Sequence, residues 1–142
     1  MTVAATITAL QAANFAIAGI NSAPDTFPSN TSQLKAPFAL TFAGPATWNL
    51  AAIGLRRQER AYRVRCYVQE IAQGMAGPDT GYQATEALLE KFGQAYLTDP
   101  TLGGAVDTMN ALSDTGVQDS LMWAQAPWWG FEYTITVTEK SA

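Results

Sequence analysis

The chain has 142 residues, 48% of them apolar and only 14% charged, and a net charge of −4. A domain near this length removes roughly 70% of its unfolded surface from water, so one folded domain over 1–142 is expected and disorder along the whole chain is not. Histidine is absent and Cys66 is the sole cysteine, which excludes a Ser-His-Asp triad, a Cys-His dyad, a histidine-bearing zinc site and an internal disulfide.

Residues 3–18 read as a helix: Val3, Ile7, Leu10 and Ile17 recur near the helical period, with Thr2 placed to cap it and Gly19 to stop it. The segment is apolar, but it has no basic leader and Gln11 and Asn14 interrupt it, so it does not read as a secretory signal. No apolar run reaches the roughly 18 residues of a membrane span, and an intracellular protein is expected. Residues 19–36, with Pro24, Pro28 and a Ser/Thr/Asn cluster, form a loop. The sequon Asn30-Thr31-Ser32 within it is read as coincidental in that setting.

Phe38, Leu40 and Phe42 alternate with small or polar residues as a short half-buried strand. Residues 43–59 are punctuated by Gly44-Pro45 and Gly54 yet carry Trp48, Leu50, Ile53 and Leu55. They are too long and too apolar for a tight turn and read as a protruding β-hairpin arm or a docking loop. The strongest strand follows, with Tyr62, Val64, Cys66 and Val68 on one face and Arg63, Arg65, Tyr67 and Gln69 on the other. Cys66 therefore reads as a small buried hydrophobe, not a reactive thiol.

Gly74, Gly77 and Pro78 break the pattern, and Thr80 with Gln83 fits a capping box. The helix so opened turns Thr85, Leu88, Leu89, Phe92 and Tyr96 inward and Glu86, Glu90 and Lys91 outward, and ends at Asp99-Pro100. Leu102-Gly103-Gly104 reads as a turn, residues 105–112 and 119–124 as strands, and Pro127-Trp128-Trp129-Gly130 as an aromatic loop. In the last strand, 131–138, Phe131, Tyr133, Ile135 and Val137 face in and Glu132, Thr134, Thr136 and Thr138 face out. The order predicts an α+β fold: an antiparallel β-sheet with two main helices packed on one apolar face, and a protruding hairpin arm.

No phosphate loop, dinucleotide fingerprint, zinc-protease motif or calcium loop is present, and Asp107, Asp114 and Asp119 are scattered. No catalytic residue, cofactor or metal site is expected, and the chain is not read as an enzyme. Two features point to surfaces instead. Five of the eight basic residues are Arg56, Arg57, Arg60, Arg63 and Arg65, a segment of about +4 in a chain whose remainder carries about −8. Arg57, Arg63 and Arg65 share one strand face and Arg60 opposes them. Guanidinium forks hold carboxylates or phosphates in pairs, so the strip suits a subunit contact or a passing nucleic-acid backbone; the plainer alternative is a solvated face paired with Glu59 and Glu70. Trp128 and Trp129 are adjacent and cannot both enter one core from a strand, so one is an interface candidate or a lid over the core edge, and Trp48 on the arm reads the same way. The candidate interface residues are Trp48, Leu50, Ile53, Arg56, Arg57, Arg63, Arg65, Trp128 and Trp129.

Three pieces in this order resemble a known family: Arg60-Ala-Tyr-Arg-Val-Arg-Cys-Tyr-Val-Gln69 after an arm, Asp99-Pro-Thr-Leu-Gly-Gly-Ala-Val-Asp107 joining helix to strand, and Trp129-Gly-Phe-Glu-Tyr-Thr-Ile-Thr-Val137 leading into the final strand. Over roughly residues 1–140 the chain looks like the tail terminator, or tail completion, proteins of long-tailed bacteriophages and related head-to-tail joining proteins. The resemblance implies an antiparallel sheet flanked by helices and a homo-oligomeric, hexameric ring. The ring would cap the tail tube protein and present a surface to the head-completion or connector protein, with DNA passing through the lumen without sequence-specific binding. It also implies no catalytic residues, no membrane, synthesis in the host cytoplasm and a final place at the head-proximal end of the tail in the virion. The Pro/Ser/Thr loop at 21–36 and the apolar arm at 43–55 depart from the family pattern. The alternatives are another virion part, a head-completion connector or tail tube subunit, and then a small non-viral α+β binding domain.

Overall fold

The computed structural model of the chain describes residues 3–29, 34–49, 56–71 and 78–141, without the side chains of 49, 56, 57, 78, 79, 140 and 141. Its centre is a pair of long strands, β2 (Arg56–Glu70) and β5 (Ala126–Ser141), antiparallel from Arg56↔Ser141 to Glu70↔Trp128. β1 (Phe38–Asn49) lies outside β2. On the far side of β5, β3 (Thr108–Asp114) and β4 (Gln118–Trp123) lie end to end, β3 along Tyr133–Thr138 and β4 along Ala126–Gly130. Both helices, α1 (Val3–Phe15) and α2 (Pro78–Thr98), pack on one face of this sheet. The fold is α+β, an antiparallel five-stranded sheet with two helices, as the element order predicts.

The alternation of β2 and β5 builds the main core. Tyr62, Val64, Cys66, Phe131, Tyr133, Ile135 and Val137 all face the helices and are buried. α2 lays Leu88, Phe92 and Tyr96 onto them, the Phe92 ring edge-on to Phe131 at 5.2 Å between centroids. Each such side chain contributes roughly 1.5–3 kcal/mol by leaving water. α2 begins at Pro78 rather than at Thr80: proline suits a first helical position, where its missing N–H costs no bond, and Thr80 sits inside the first turn.

α1 is shorter than the 3–18 reading and buries a different face. Thr6, Leu10, Gln11 and Asn14 are the buried residues, while Val3 and Ile7 pack at the margin. This polar stripe is tolerated because every member is bonded. Gln11 Nε2 donates to the Ala39 carbonyl at 2.9 Å, and Gln11 Oε1 accepts from Thr41 at 2.8 Å and from Asn14 at 2.9 Å. Asn14 Oδ1 in turn accepts from the Tyr96 hydroxyl of α2. The first half of β1 offers small residues on this face, Ala39, Thr41 and Ala43, which lets α1 approach closely.

Phe38, Leu40 and Phe42 form strand as expected and lie on the sheet face away from the helices, because register pairs them with Tyr67, Arg65 and Arg63. One further reading is corrected. Pro127-Trp128-Trp129-Gly130 is not a loop but the first part of β5, paired with β4 across a two-residue turn at Ala124 and Gln125, both at positive φ. A turn of that kind is usually marked by Asn or Gly; here two ordinary residues hold it. Of the segment 43–59, the described parts are paired strand, β1 against β2, and β2 stays paired to β5 as far as Arg56; Leu50 and Ile53, and with them the rest of the expected arm, lie outside the described residues.

Two glycine sites follow from geometry. Leu102, Gly103 and Gly104 all have positive φ, and Leu102 and Val106 anchor the turn in the core. A Cβ on Gly130 would fall 2.2 Å from the Cys66 carbonyl oxygen, so only glycine lets β5 lie against β2 there.

Candidate interaction surface

The face of the sheet turned away from the helices changes character along its length. At one end Phe38, Tyr67 and Leu121 are buried under Trp123, Trp128 and Leu34. Phe38 stacks on Tyr67 at 5.0 Å, and Trp123 and Trp128 meet both rings. Tyr67 is thus part of a second small core, not of a polar face, and burial pushes its hydroxyl pKa up. The loop after α1 reaches this core by crossing the β1 edge: Asn21 donates to the Pro37 carbonyl, Ala39 donates to the Ser22 carbonyl, and Phe27 then rests against Phe42 and Trp123 at 5.8 and 5.9 Å. Phe27 remains 64% exposed.

The middle of the face carries the arginines. Cross-strand pairing sets Leu40, Arg65 and Glu132 in one row and Phe42, Arg63 and Thr134 in the next. Arg65 Nε bonds Glu132 at 2.9 Å, and this is the ion pair among the described residues; the solvated-face reading had named Glu59 and Glu70 instead. Both guanidinium carbons flank the Phe42 ring, 5.8 Å from its centroid for Arg63 and 5.5 Å for Arg65, a cation–aromatic placement that holds the forks upright. Arg63 is exposed. Beyond them the face is threonine-rich, with Thr136 and Thr138, and Glu59 accepts from Asn110 at 3.1 Å.

The nine candidate residues do not form one site. Arg63 and Arg65 stand on the open face, and Trp128 lies on the same face within the aromatic end. Trp129 points to the helix side and packs edge-on to Tyr82, over Gly81, where a Cβ would meet the indole at 2.6 Å. Neither tryptophan is exposed. Trp48 is 52% exposed but pairs with Gln58, whose side chain lies on the helix side, so Trp48 and Arg63 look opposite ways. The side chains of Arg56 and Arg57 lie outside the described set, as do Leu50 and Ile53. Arg60 is spent internally, donating to the Gly44 carbonyl at 2.8 Å and to Gln58 Oε1 at 3.1 Å.

One ionisable residue escaped the sequence reading. Glu139 continues the inward parity of β5 and is fully buried. Its Oε1 accepts from Tyr62 at 3.1 Å and from Thr6 of α1, and its Oε2 accepts from Gln58 Nε2 at 2.7 Å. Three donors thus meet this buried carboxylate, and burial first of all pushes the Tyr62 pKa up to about 12. The arrangement ties α1 to β2 and β5. Cys66 is equally interior, and burial pushes its thiol pKa up, against nucleophilic use. Among the described residues no group of three or more Cys, Asp or Glu side chains could hold a metal ion, and no helix is long and apolar enough to cross a membrane. An open hollow of about 460 Å³ lies between Phe15 and the following loop, lined by Asn21, Ser22, Thr26 and Leu34 among others.

No protein-family model matches the chain, and no curated protein matches it.

Proposed function

We propose that the chain is a structural subunit that works as a homo-oligomeric ring, capping a phage tail tube and joining the tail to the head connector. The observation that supports this reading is the unfinished second face of the sheet. One end of it is covered by the chain's own aromatic cluster, while Arg63, Phe42 and Phe27 remain at the boundary, open to a partner. Apolar and basic groups set side by side on an open sheet face suit a protein partner better than a small substrate. Native mass measurement and electron microscopy of the pure protein, alone and with tail tubes, test the proposal. A closed ring that seats on tube ends is expected; a monomer that never binds them refutes it. Filaments that grow without limit would instead mark a tube subunit, the nearest alternative. The hollow beside Phe15 favours a second reading, a small binding domain, for which a saturable small-molecule ligand at Asn21 and Ser22 is the required finding.

A further inference from the structure

We infer that the counter-surface for the arginine rows is the outer ridge of α2 on a second copy of this chain, in a head-to-tail contact. The inference rests on the self-association proposed above and names the two faces that meet. The ridge is laid out by the helical period. Tyr82, Glu86, Glu90 and Gln94 follow one another at four-residue spacing and are all exposed. Tyr82 bonds Glu86, and Gln94 Nε2 donates to Glu90 at 3.3 Å, so both carboxylates are held on the ridge. Lys91, on the same helix, turns aside to the Ala18 carbonyl at 3.4 Å. Glu86 and Glu90 are about 6 Å apart along the helix axis, four residues at ~1.5 Å each. Arg63 and Arg65 are about 7 Å apart along β2, two residues on one strand face. Two carboxylates thus match two guanidiniums in sign and in spacing.

The remaining features agree. Glu132 takes the Nε of Arg65, and the side chain, hydrogen-bonded to Tyr67 as well, stays 30% exposed at the face. Apolar groups accompany the charges on both sides, Phe27 beside the arginines and Leu97, 73% exposed, one turn beyond Gln94. The ridge and the arginine rows sit on opposite sides of the two-layer domain, so the contact is between unlike surfaces and each copy keeps one of each free for the next. A nucleic-acid backbone fits this face less well: the chain carries −4 overall, and Glu132 and Glu59 stand in the same field.

The test is a charge-reversal exchange on the full chain, read by native mass spectrometry, with circular dichroism confirming that each variant is folded. Arg63→Glu with Arg65→Glu, and Glu86→Arg with Glu90→Arg, are each expected to weaken self-association about tenfold or more. An equimolar mixture of the two variants restores it, because each supplies the complement the other lacks, and so does one chain carrying all four changes. Assembly of both variants like the wild type overturns the inference and leaves the ring reading standing, as does loss of assembly with no rescue on mixing. A wild-type chain that stays monomeric at every concentration removes both. If Arg63→Glu with Arg65→Glu instead abolishes binding of a single-stranded oligonucleotide while assembly is unchanged, the face is a nucleic-acid surface and the inference falls.

Discussion

Raising the pH should unfold this protein between pH 10 and 12, through its tyrosines. Burial pushes Tyr62 and Tyr133 from the ordinary 10.0 up to about 12, and Tyr96 and Tyr67 shift in the same direction. Below pH 10 the folded and unfolded chains both keep these protons and stability is flat. Between pH 10 and 12 the unfolded chain releases them and the folded one does not, so stability falls as pH rises, and the contribution is gone above 12. Two units at ~1.36 kcal/mol each amount to about 3 kcal/mol per residue for Tyr62 and Tyr133. Together that is about 5 kcal/mol, comparable with the whole stability of many domains. Tyr82 behaves differently: it is exposed, and its pKa is raised first by its hydrogen bond to Glu86 and by that residue's charge. Tyrosinate absorbance and circular dichroism followed on the same samples should show one tyrosine ionising while the sheet is intact and four ionising with the loss of the sheet. Tyr82→Phe should remove only the early step. Four buried tyrosines ionising near pH 10 in a chain with unchanged dichroism would refute the packing described for β2 and β5.

Gly130→Ala should destabilise by several kcal/mol, since its Cβ cannot occupy the space of the Cys66 carbonyl; a thermal melt equal to wild type would contradict the β2–β5 register. Thr6→Val keeps the shape of the side chain and removes a donor to the Glu139 carboxylate, with an expected cost of about 1–3 kcal/mol in denaturant titration. Cys66 should resist thiol reagents in buffer and react fully in denaturant; fast labelling of the folded chain would place it outside the core. Trp48→Ala, at an exposed position, should shift the melt by less than about 0.5 kcal/mol in stability, measured by the same titration.

Much of the fold is legible in the sequence because its strongest signals are local. The alternation from Tyr62 to Val68 and from Phe131 to Val137, the α2 stripe and the Leu102-Gly-Gly turn each state their structure within a few residues. Register is not local. Nothing near Phe42 announces that it will lie against Arg63, so the alternation of Phe38, Leu40 and Phe42 states a strand but not the side of the sheet it faces. The β4–β5 turn was hidden because Ala124 and Gln125 carry no turn chemistry. Glu139 and Gln58 do sit on inward positions by parity, yet a polar residue at the end of an apolar alternation reads as its boundary. The inward stripe of α1 is polar for the same reason: its partners are the Ala39 carbonyl, Thr41 and Tyr96, which only the tertiary structure brings near. Of the candidate surface, the shared face of Arg63 and Arg65 and the divergence of Trp128 from Trp129 follow from strand parity, whereas the aromatic end beside them depends on Phe27 and Trp123 arriving from distant segments.

The position of β5 has a consequence for how the molecule is made. It is the last element in chain order and yet a central strand, and β3 and β4 pair with it alone. A chain growing from its N-terminus can form the β1–β2 hairpin and α2 early, but β3 and β4 have no ladder to join until residues 126–141 emerge. The closing contacts span most of the length, Thr6 to Glu139 being 133 residues apart, which makes for slow folding and a late window in which apolar strands lie bare. In the assembly proposed above, the same delay would be useful. Glu132 and Thr134, which complete the rows of Arg65 and Arg63, belong to β5, so the face that would recruit a neighbour comes into being only once β5 has docked against β2.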